Sequence, residues 1–331
     1  MNLRILKGYD KNIESSIRKD FHDFYEQKGL FYSFDFPLTI EWGDAGRVQK
    51  YAGEPLRYVL LDGKRPIGLF QGIVKRKFFI STLESGSTSG NGAIVYPTYE
   101  KAALKFFISD IIKKENFSSA SIFIPEYVEI PSFSARKNYT YYIDLTKPLE
   151  KIMSNMKKQC RWAIRKAEKN NVKVEISDRD DVLEEAYCLV SETAKAKNIG
   201  IAPFKWIQEL HKNFKTSGHS ISAIASHDGE PVAAGYFLCY DKKINWFFGG
   251  SKPYGDKLQA GNLIQMKVIE WGKNHGYRIY DVGGTHPYDS HYAKIDKFKS
   301  SFGGSLVTNY VLYKEKFYFP VMMRIKNLIG Y

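Results

Sequence analysis

The sequence predicts a mixed α/β protein of two domains that repeat one plan. Three observations carry this. The chain has 331 residues, long for one compact domain and comfortable for two. Its apolar residues fall into alternating strand-length and helix-length patterns along the chain. Two Asp-Gly turns, Asp62-Gly63 and Asp228-Gly229, each sit within a meander of strands. Helices precede each meander, and a glycine loop, a helix and a strand follow it. The two halves therefore read as a pseudo-repeat.

In the first half, Ile13, Ile17, Phe21 and Phe24 recur at helical spacing and predict a helix over 11–29. Residues 30–42 are aromatic and are interrupted by Pro37. Strands are expected at 56–61, 66–74 and 78–82, the first two joined by the Asp62-Gly63-Lys64 turn. Residues 84–92, ESGSTSGNG, read as a polar glycine loop. The centre of Gly86 to Gly90 is Thr88, so the segment fails the GxSxG pattern of a nucleophile elbow. A helix at 102–114, a strand at 119–124 and a strand at 139–145 complete this half. Pro148 suits the first turn of a new helix, so the domain boundary is set at 146/147. The first domain is 1–146 and the second is 147–311. Residues 312–331 are expected to pack back on the first domain.

The second half opens on a predicted amphipathic helix over 148–170. Leu149, Ile152, Met153, Met156, Cys160, Ala163, Ile164 and Ala167 form its apolar side. Lys151, Lys158, Arg161, Arg165 and Lys169 share the outward face. Residues 147–175 hold nine Lys or Arg against three Glu, a difference of +6. That is nearly half of the chain's formal charge of +13. A solvated helix face is the ordinary explanation of such a run. Here the imbalance points to an anion, such as a phosphate or an RNA backbone. A strand at 172–176, helices at 182–197 and 203–214, and strands at 220–226 and 231–239 follow. They lead to the stretch 244–304, which reads strand, glycine turn, helix, strand, glycine turn, basic loop. Such a unit makes a pocket at strand ends, where glycines let a ligand approach the backbone.

Composition excludes several classes. The three cysteines, Cys160, Cys188 and Cys239, are far apart and form no CxxC, so neither a zinc site nor a redox pair is expected. They fit a reducing compartment. His286 and His291 lack a zincin spacing. The N-terminal residues have no signal-peptide core, and no stretch is apolar enough to span a bilayer. A cytoplasmic monomer is expected. Residues 314–326, with Phe317, Tyr318, Phe319, Val321, Met322 and Ile325, offer a face for peripheral contact with the membrane. Residues 250–257, GSKPYGDK, lack the Gly-Lys-Ser/Thr ending of a phosphate loop, which argues against an ATPase.

Two stretches carry a resemblance to a known family. One is Arg161-Trp162-Ala163-Ile164-Arg165-Lys166-Ala167-Glu168-Lys169, followed by Val172-Lys173-Val174. The other runs from Phe248-Gly249-Gly250-Ser251 through Trp271, Gly276 and Tyr280-Asp281-Val282-Gly283-Gly284 to Phe298-Lys299 and Phe302-Gly303-Gly304. With the ending Tyr310-Val311-Leu312-Tyr313 and a basic segment, this order resembles the Fem family of aminoacyl-tRNA-dependent peptidyltransferases. The resemblance implies two domains of the GNAT acyltransferase type. It also implies transfer of an amino acid from aminoacyl-tRNA to an amine of a peptidoglycan precursor, with no further cofactor. Some members carry a coiled-coil arm in the second domain. Val172 follows directly on the basic helix here, so this chain is similar to the arm-less members. In well-known members an arginine contacts the diphosphate of the precursor. The matching region, Ile199-Gly200-Ile201-Ala202-Pro203, has none. The acceptor is left open between a nucleotide-linked muropeptide, a lipid-linked one and another amine-bearing glycan.

Transfer from an ester to an amine needs an oriented neutral amine, a stabilised oxyanion and a proton for the leaving ribose oxygen. With the family match, Lys299 of the Phe-Lys pair is the candidate for stabilising that charge. Asp281 is the candidate for orienting or deprotonating the amine, with capping of the glycine turn as its alternative role. Phe247, Phe248, Tyr254 and Phe298 are candidates for lining the donor channel, where aromatic rings can stack on the terminal adenosine. Lys158, Arg161, Arg165 and Lys257 are candidates for its phosphates. A rival reading on the same fold is an acyl-CoA-dependent N-acyltransferase. Its pyrophosphate loop matches Lys257-Leu258-Gln259-Ala260-Gly261-Asn262 only weakly. A second rival is a non-catalytic protein that binds RNA or a membrane surface.

Overall fold

The computed structural model describes residues 2–28, 35–47, 53–77, 80–88, 90–99, 101–215, 220–316 and 319. The chain divides into two units, Met1–Asn138 with Thr308–Tyr331, and Tyr139–Val307. The expected boundary at 146/147 falls just past a long strand, whereas the units part within that strand.

The first unit begins with β1 (Leu3–Lys7), α1 (Lys11–Gln27) and α2 (Ile40–Ala45). The Asp10 carboxylate caps α1 by accepting the Ile13 N–H at 3.0 Å, and Ile17 and Phe21 face the core. A meander follows: β2 (Glu54–Asp62), β3 (Arg65–Lys77) and β4 (Ile80–Ser87). Residues 78 and 79 of the expected third strand lie outside the described residues, as do residue 29 of the expected first helix and 30–34 of the aromatic run. The segment 84–92 is not a loop. Its first part continues β4, and β5 (Gly90–Asn91) folds back on it, pairing Gly86 with Asn91. Gly92 makes this tight return possible, since a Cβ there would lie 2.1 Å from the Ser85 Oγ. Then come β6 (Ala93–Val95), α3 (Lys101–Glu115), β7 (Ser119–Ile124) and β8 (Ser134–Asp144). β4 and β7 pair in parallel, from Thr82 with Ser119 to Ser85 with Ile122. Phe70, Phe107, Ile108 and Ile122 lie in the core between this sheet and α3.

The second unit holds α4 (Leu149–Asn155), α5 (Lys158–Lys169), β9 (Lys173–Ser177), α6 (Asp180–Ala196) and α7 (Phe204–Lys215). Next are β10 (Ser220–His227), β11 (Glu230–Tyr240), β12 (Lys243–Ser251), α8 (Pro253–Leu258), α9 (Ala260–Asn274), β13 (Ile279–Thr285) and α10 (Ala293–Ser300); the last strand, β14 (Ser305–Glu315), belongs from Thr308 onward to the first unit. Its sheet runs β9-β10-β11-β12-β13-β8, antiparallel except for β12 with β13. Buried residues of α5 and α9 (Cys160, Ile164, Leu263, Met266) pack on one face with Phe237, Ile244 and Tyr280. On the other face, Val182, Ala186 and Leu189 of α6 pack against Ile224 and Ala234.

Three expectations for this unit need correction. The single helix expected at 148–170 is two helices, because Met156 and Lys157 are extended. The break gives the Lys157 N–H to the Ser301 carbonyl at 2.8 Å, and it seats Gly303 (φ +74°) against the Asn155 carbonyl. Residues 253–258, expected as loop, form α8 with Pro253 in its first turn. The basic loop around 298 is instead the end of α10. The strand-and-helix plan is the same in both units. β1-β2-β3-β4, helix α3, and β7 parallel to β4 correspond to β9-β10-β11-β12, helix α9, and β13 parallel to β12. In the first unit, Tyr310 of β14 pairs with Ile124 and Glu315 with Ser119. Of the segment 314–326, residues 317, 318 and 320–326 lie outside the described residues. Among the described residues no coiled-coil arm occurs, and no helix is long and apolar enough to cross a membrane.

Candidate active site

The site is built where β12 and β13 stop pairing. Their parallel ladder is short: Lys243 with Ile279, Ile244 with Tyr280, Asn245 with Asp281. Beyond it β12 stays with β11, and β13 stays with β8 through Gly284 with Thr140. Two parallel strands that each keep only their outer neighbour expose inner backbone groups, which a ligand can pair with.

Asp281 sits at the end of this ladder and is fully buried. Its neighbours Tyr280 and Val282 enter the core under α9, so strand alternation turns Asp281 to the opposite face. Its Oδ1 accepts the Thr140 hydroxyl and, at 2.8 Å, the Gly283 N–H. Gly283 has φ +76°, a backbone conformation that suits glycine, so carboxylate and glycine together fix the turn. The other oxygen, Oδ2, accepts no hydrogen bond among the described residues, nor does Oδ1 of its register partner Asn245. Burial raises the Asp281 pKa to about 6, against the opposing pull of Lys243, Thr140, Gly283 and Lys299.

Lys299 comes from the last turn of α10. Its Nζ donates to the Gly284 carbonyl at 2.7 Å and lies 5.0 Å from the centre of the Trp246 ring. Phe298 packs on the same indole, with ring centres 6.0 Å apart. The lysine is half-buried, and burial lowers its pKa to about 8 while Asp281 partly opposes this. The Asp281 carboxylate and the Lys299 ammonium thus bracket the Gly283-Gly284 turn, and each biases the other's charge. An ammonium with a pKa near 8 is cationic at neutral pH and can still release its proton.

The remaining candidates fall into three places. Phe247 and Phe248 both turn to the α6–α7 face, because a bulge opposite Tyr236 and Phe237 interrupts the alternation of β12. Phe248 stacks on Tyr236 at 5.2 Å, and Phe247 meets Trp206 at 5.8 Å. Trp246 keeps to the other face with Phe298, so sheet alternation separates the three aromatics. Tyr254 and Lys257 are exposed on α8, where Tyr254 meets the His227 ring at 5.5 Å. Lys158 and Arg165 are exposed on α5. Arg161 turns back to accept a structural task, donating to the Met156 carbonyl and to the Ser154 carbonyl at 3.3 Å. It thereby satisfies the open end of α4.

Sequence reasoning missed Trp246, Thr140, Lys243 and Asn245 as neighbours of the pair. Trp246 adjoins the Phe247-Phe248 run and is the one whose position carried a local signal. Thr140 comes from a strand distant in sequence, and only the β8–β13 register brings it close. A cavity of about 580 Å³ opens elsewhere, beside Asp180, His211 and Lys215. Part of its polar wall is already engaged: Lys215 pairs with Asp180 at 3.0 Å, and His211 joins Ser220 at 2.8 Å. Burial lowers the His211 pKa, so the ring is neutral at neutral pH and fixes α7 to β10. Among the described residues no cluster of His, Cys, Asp and Glu is able to hold a metal ion.

The doubled strand-and-helix plan, with a parted parallel pair, defines a tandem GNAT-like protein. Residues 154–294 match the family described as an acetyltransferase (GNAT) domain. Over 121 residues the chain is 24% identical to the UDP-N-acetylmuramoylpentapeptide-lysine N(6)-alanyltransferase of Weissella viridescens, covering 37% of this chain and 35% of that protein. Over 104 residues it is 23% identical to the aminoacyltransferase FemA of Staphylococcus epidermidis, covering 30% of this chain and 25% of that one. The chain therefore spans about a third or less of the length of these curated relatives. The crystal structure of FemX superposes with a TM-score of 0.70 at 14% identity, over 97% of this chain and all of that one. The chain is thus similar to a GNAT acetyltransferase domain over 154–294, to Fem-type aminoacyltransferases in part of its sequence, and to FemX in fold.

Proposed function

We propose that the protein transfers an amino acid from the ester of an aminoacyl-tRNA to an amine of a cell-wall precursor. The observation that carries this reading is the Asp281–Lys299 pair around the Gly283-Gly284 turn, at the mouth where β12 and β13 part. An acyl ester held along the open strand edge places its carbonyl near Lys299. The acceptor amine attacks that carbon directly, and a C–N bond forms as the carbonyl π bond opens to an oxyanion. The Lys299 ammonium stabilises this charge. Collapse breaks the C–O bond and expels the ribose oxygen, which takes up a proton from Lys299, while the attacking nitrogen gives up its surplus proton to Lys299 and restores the ammonium. No enzyme-bound acyl group is needed. Asp281 is too enclosed to reach the amine. It acts as a positioning residue, holding the glycine turn and keeping Lys299 charged.

The name of the Weissella viridescens relative, a UDP-N-acetylmuramoylpentapeptide-lysine N(6)-alanyltransferase, supports an amine on a muropeptide as acceptor. The test presents charged tRNA and acetyl-CoA in parallel to the protein, each with nucleotide-linked and lipid-linked muropeptides. Transfer from charged tRNA is expected, with Lys299→Ala lowering kcat by about 10²–10³-fold. Transfer from acetyl-CoA alone overturns the tRNA reading in favour of an acyl-CoA-dependent enzyme. Full activity in Lys299→Ala removes this lysine from the site.

A further inference from the structure

Trp162 is an unusual residue for the middle of a basic helix. It is 57% exposed, although α5 is otherwise firmly docked through Cys160, Ala163, Ile164 and Ala167. The Lys166 ammonium lies 5.2 Å from the centre of its ring. Lys158 stands one turn before it, and Arg165 and Lys166 one turn after. These positions lie on the same helix face. Lys169 extends the face by another turn. The patch is joined directly to the site. Lys157, which precedes α5, bonds through its N–H to the Ser301 carbonyl at 2.8 Å and through Nζ to the Ser300 Oγ at 2.8 Å. Ser300 follows Lys299 in α10. From Lys157 to Trp162 the helix advances about 7 Å.

We infer that Trp162, backed by Lys166, is a stacking platform for a base in the unpaired 3′ end of an RNA, whose phosphates run along Lys158, Arg165 and Lys169. The inference rests on the tRNA-donor reading and adds a residue to it. A flat ring among cations suits a chain that offers bases and phosphates in alternation. A bilayer asks for a continuous apolar stripe. The other exposed positions of α5 are Lys158, Gln159, Arg165, Glu168 and Lys169, which provide none.

The test measures binding of two uncharged, labelled RNA hairpins to the whole protein by fluorescence anisotropy. One hairpin has a short unpaired 3′ tail and the other is blunt. The tailed hairpin is expected to bind more tightly. Trp162→Ala is expected to weaken it about 10-fold and leave the blunt one unchanged. Trp162→Phe should restore most of the loss, and Lys169→Ala should weaken both alike. Equal binding of the tailed hairpin by wild type and Trp162→Ala overturns the inference and leaves the donor reading standing. Absence of binding to either hairpin overturns both. Loss of binding to phosphatidylglycerol vesicles in Trp162→Ala, with RNA binding intact, reassigns the patch to a lipid surface and overturns the inference.

Discussion

At the scale of single residues, the site is a problem of two charges in a poorly solvated place. Burial pulls the carboxyl of Asp281 up to about 6 and the ammonium of Lys299 down to about 8. Both carry charge only between these values. The pH profile of kcat is therefore expected to rise through about 6 and fall through about 8. Replacing Asp281 with Asn should remove the acidic limb, which a pH-rate series on the two proteins would read. Stability has its own signature. The folded pKa of Asp281 lies above its ordinary 3.8. The folded state then holds the extra proton between those values, so this contribution is present at low pH and is lost as pH rises through about 6. Urea unfolding of Asp281→Asn from pH 4 to 7 should show a flatter dependence than wild type; identical slopes would count against a buried, titrating Asp281. The sequence singled out Lys299 by its aromatic flank and Asp281 by its place at a strand end, and the structure brings both to the Gly283-Gly284 turn. The enclosure of Asp281 was not legible there, because Thr140 and Lys243 reach it only through sheet pairing.

At the scale of elements, the break between α4 and α5 is the feature the sequence concealed. Ile152, Met156, Cys160, Ile164 and Ala167 belong to one core cluster on both sides of it. Their apolar period passes through the interruption without losing phase, so periodicity alone reads one helix. What marks the break is a partner far along the chain: Gly303, held at φ +74° with its Cα against the Asn155 carbonyl. A methyl group at Gly303 would lie 2.3 Å from that oxygen. Gly303→Ala is expected to cost about 2 kcal/mol or more, from the collision and the left-handed backbone together. Because Gly303 lies just beyond α10, the same variant should lower kcat with a smaller change in KM. Thermal unfolding and steady-state kinetics on one preparation check both, and an unchanged melting temperature would show that the contact is slack. The Phe298-Lys299 tract stood out in the sequence as an aromatic–lysine pair but not as a helix end, since eight residues of mixed polarity give a weak helical signal.

At the scale of the whole molecule, two Asp-Gly turns and the elements around them were enough to reveal a doubled plan. Each unit repeats the meander, the following helix and the strand that rejoins in parallel. The location of charge was legible as well, since the basic stretch 147–175 does present Lys158, Arg165 and Lys169 outward. What composition could not give is the division of those cations between tasks. Arg161 closes a helix end and Lys157 ties α5 to α10, while Lys166 lies over an indole.

The repeated parallel pair has one more consequence. In the second unit the strand after the long helix reads Ile279-Tyr280-Asp281-Val282-Gly283-Gly284 and carries a buried acid before a glycine turn. Its counterpart in the first unit, Ser119-Ala120-Ser121-Ile122-Phe123-Ile124, has neither acid nor glycine. There β7 continues in register against β14. The doubled plan therefore repeats the scaffold without repeating the side chains: the parallel pair β4–β7 ends on apolar residues where β12–β13 ends on an enclosed carboxylate and a glycine pair.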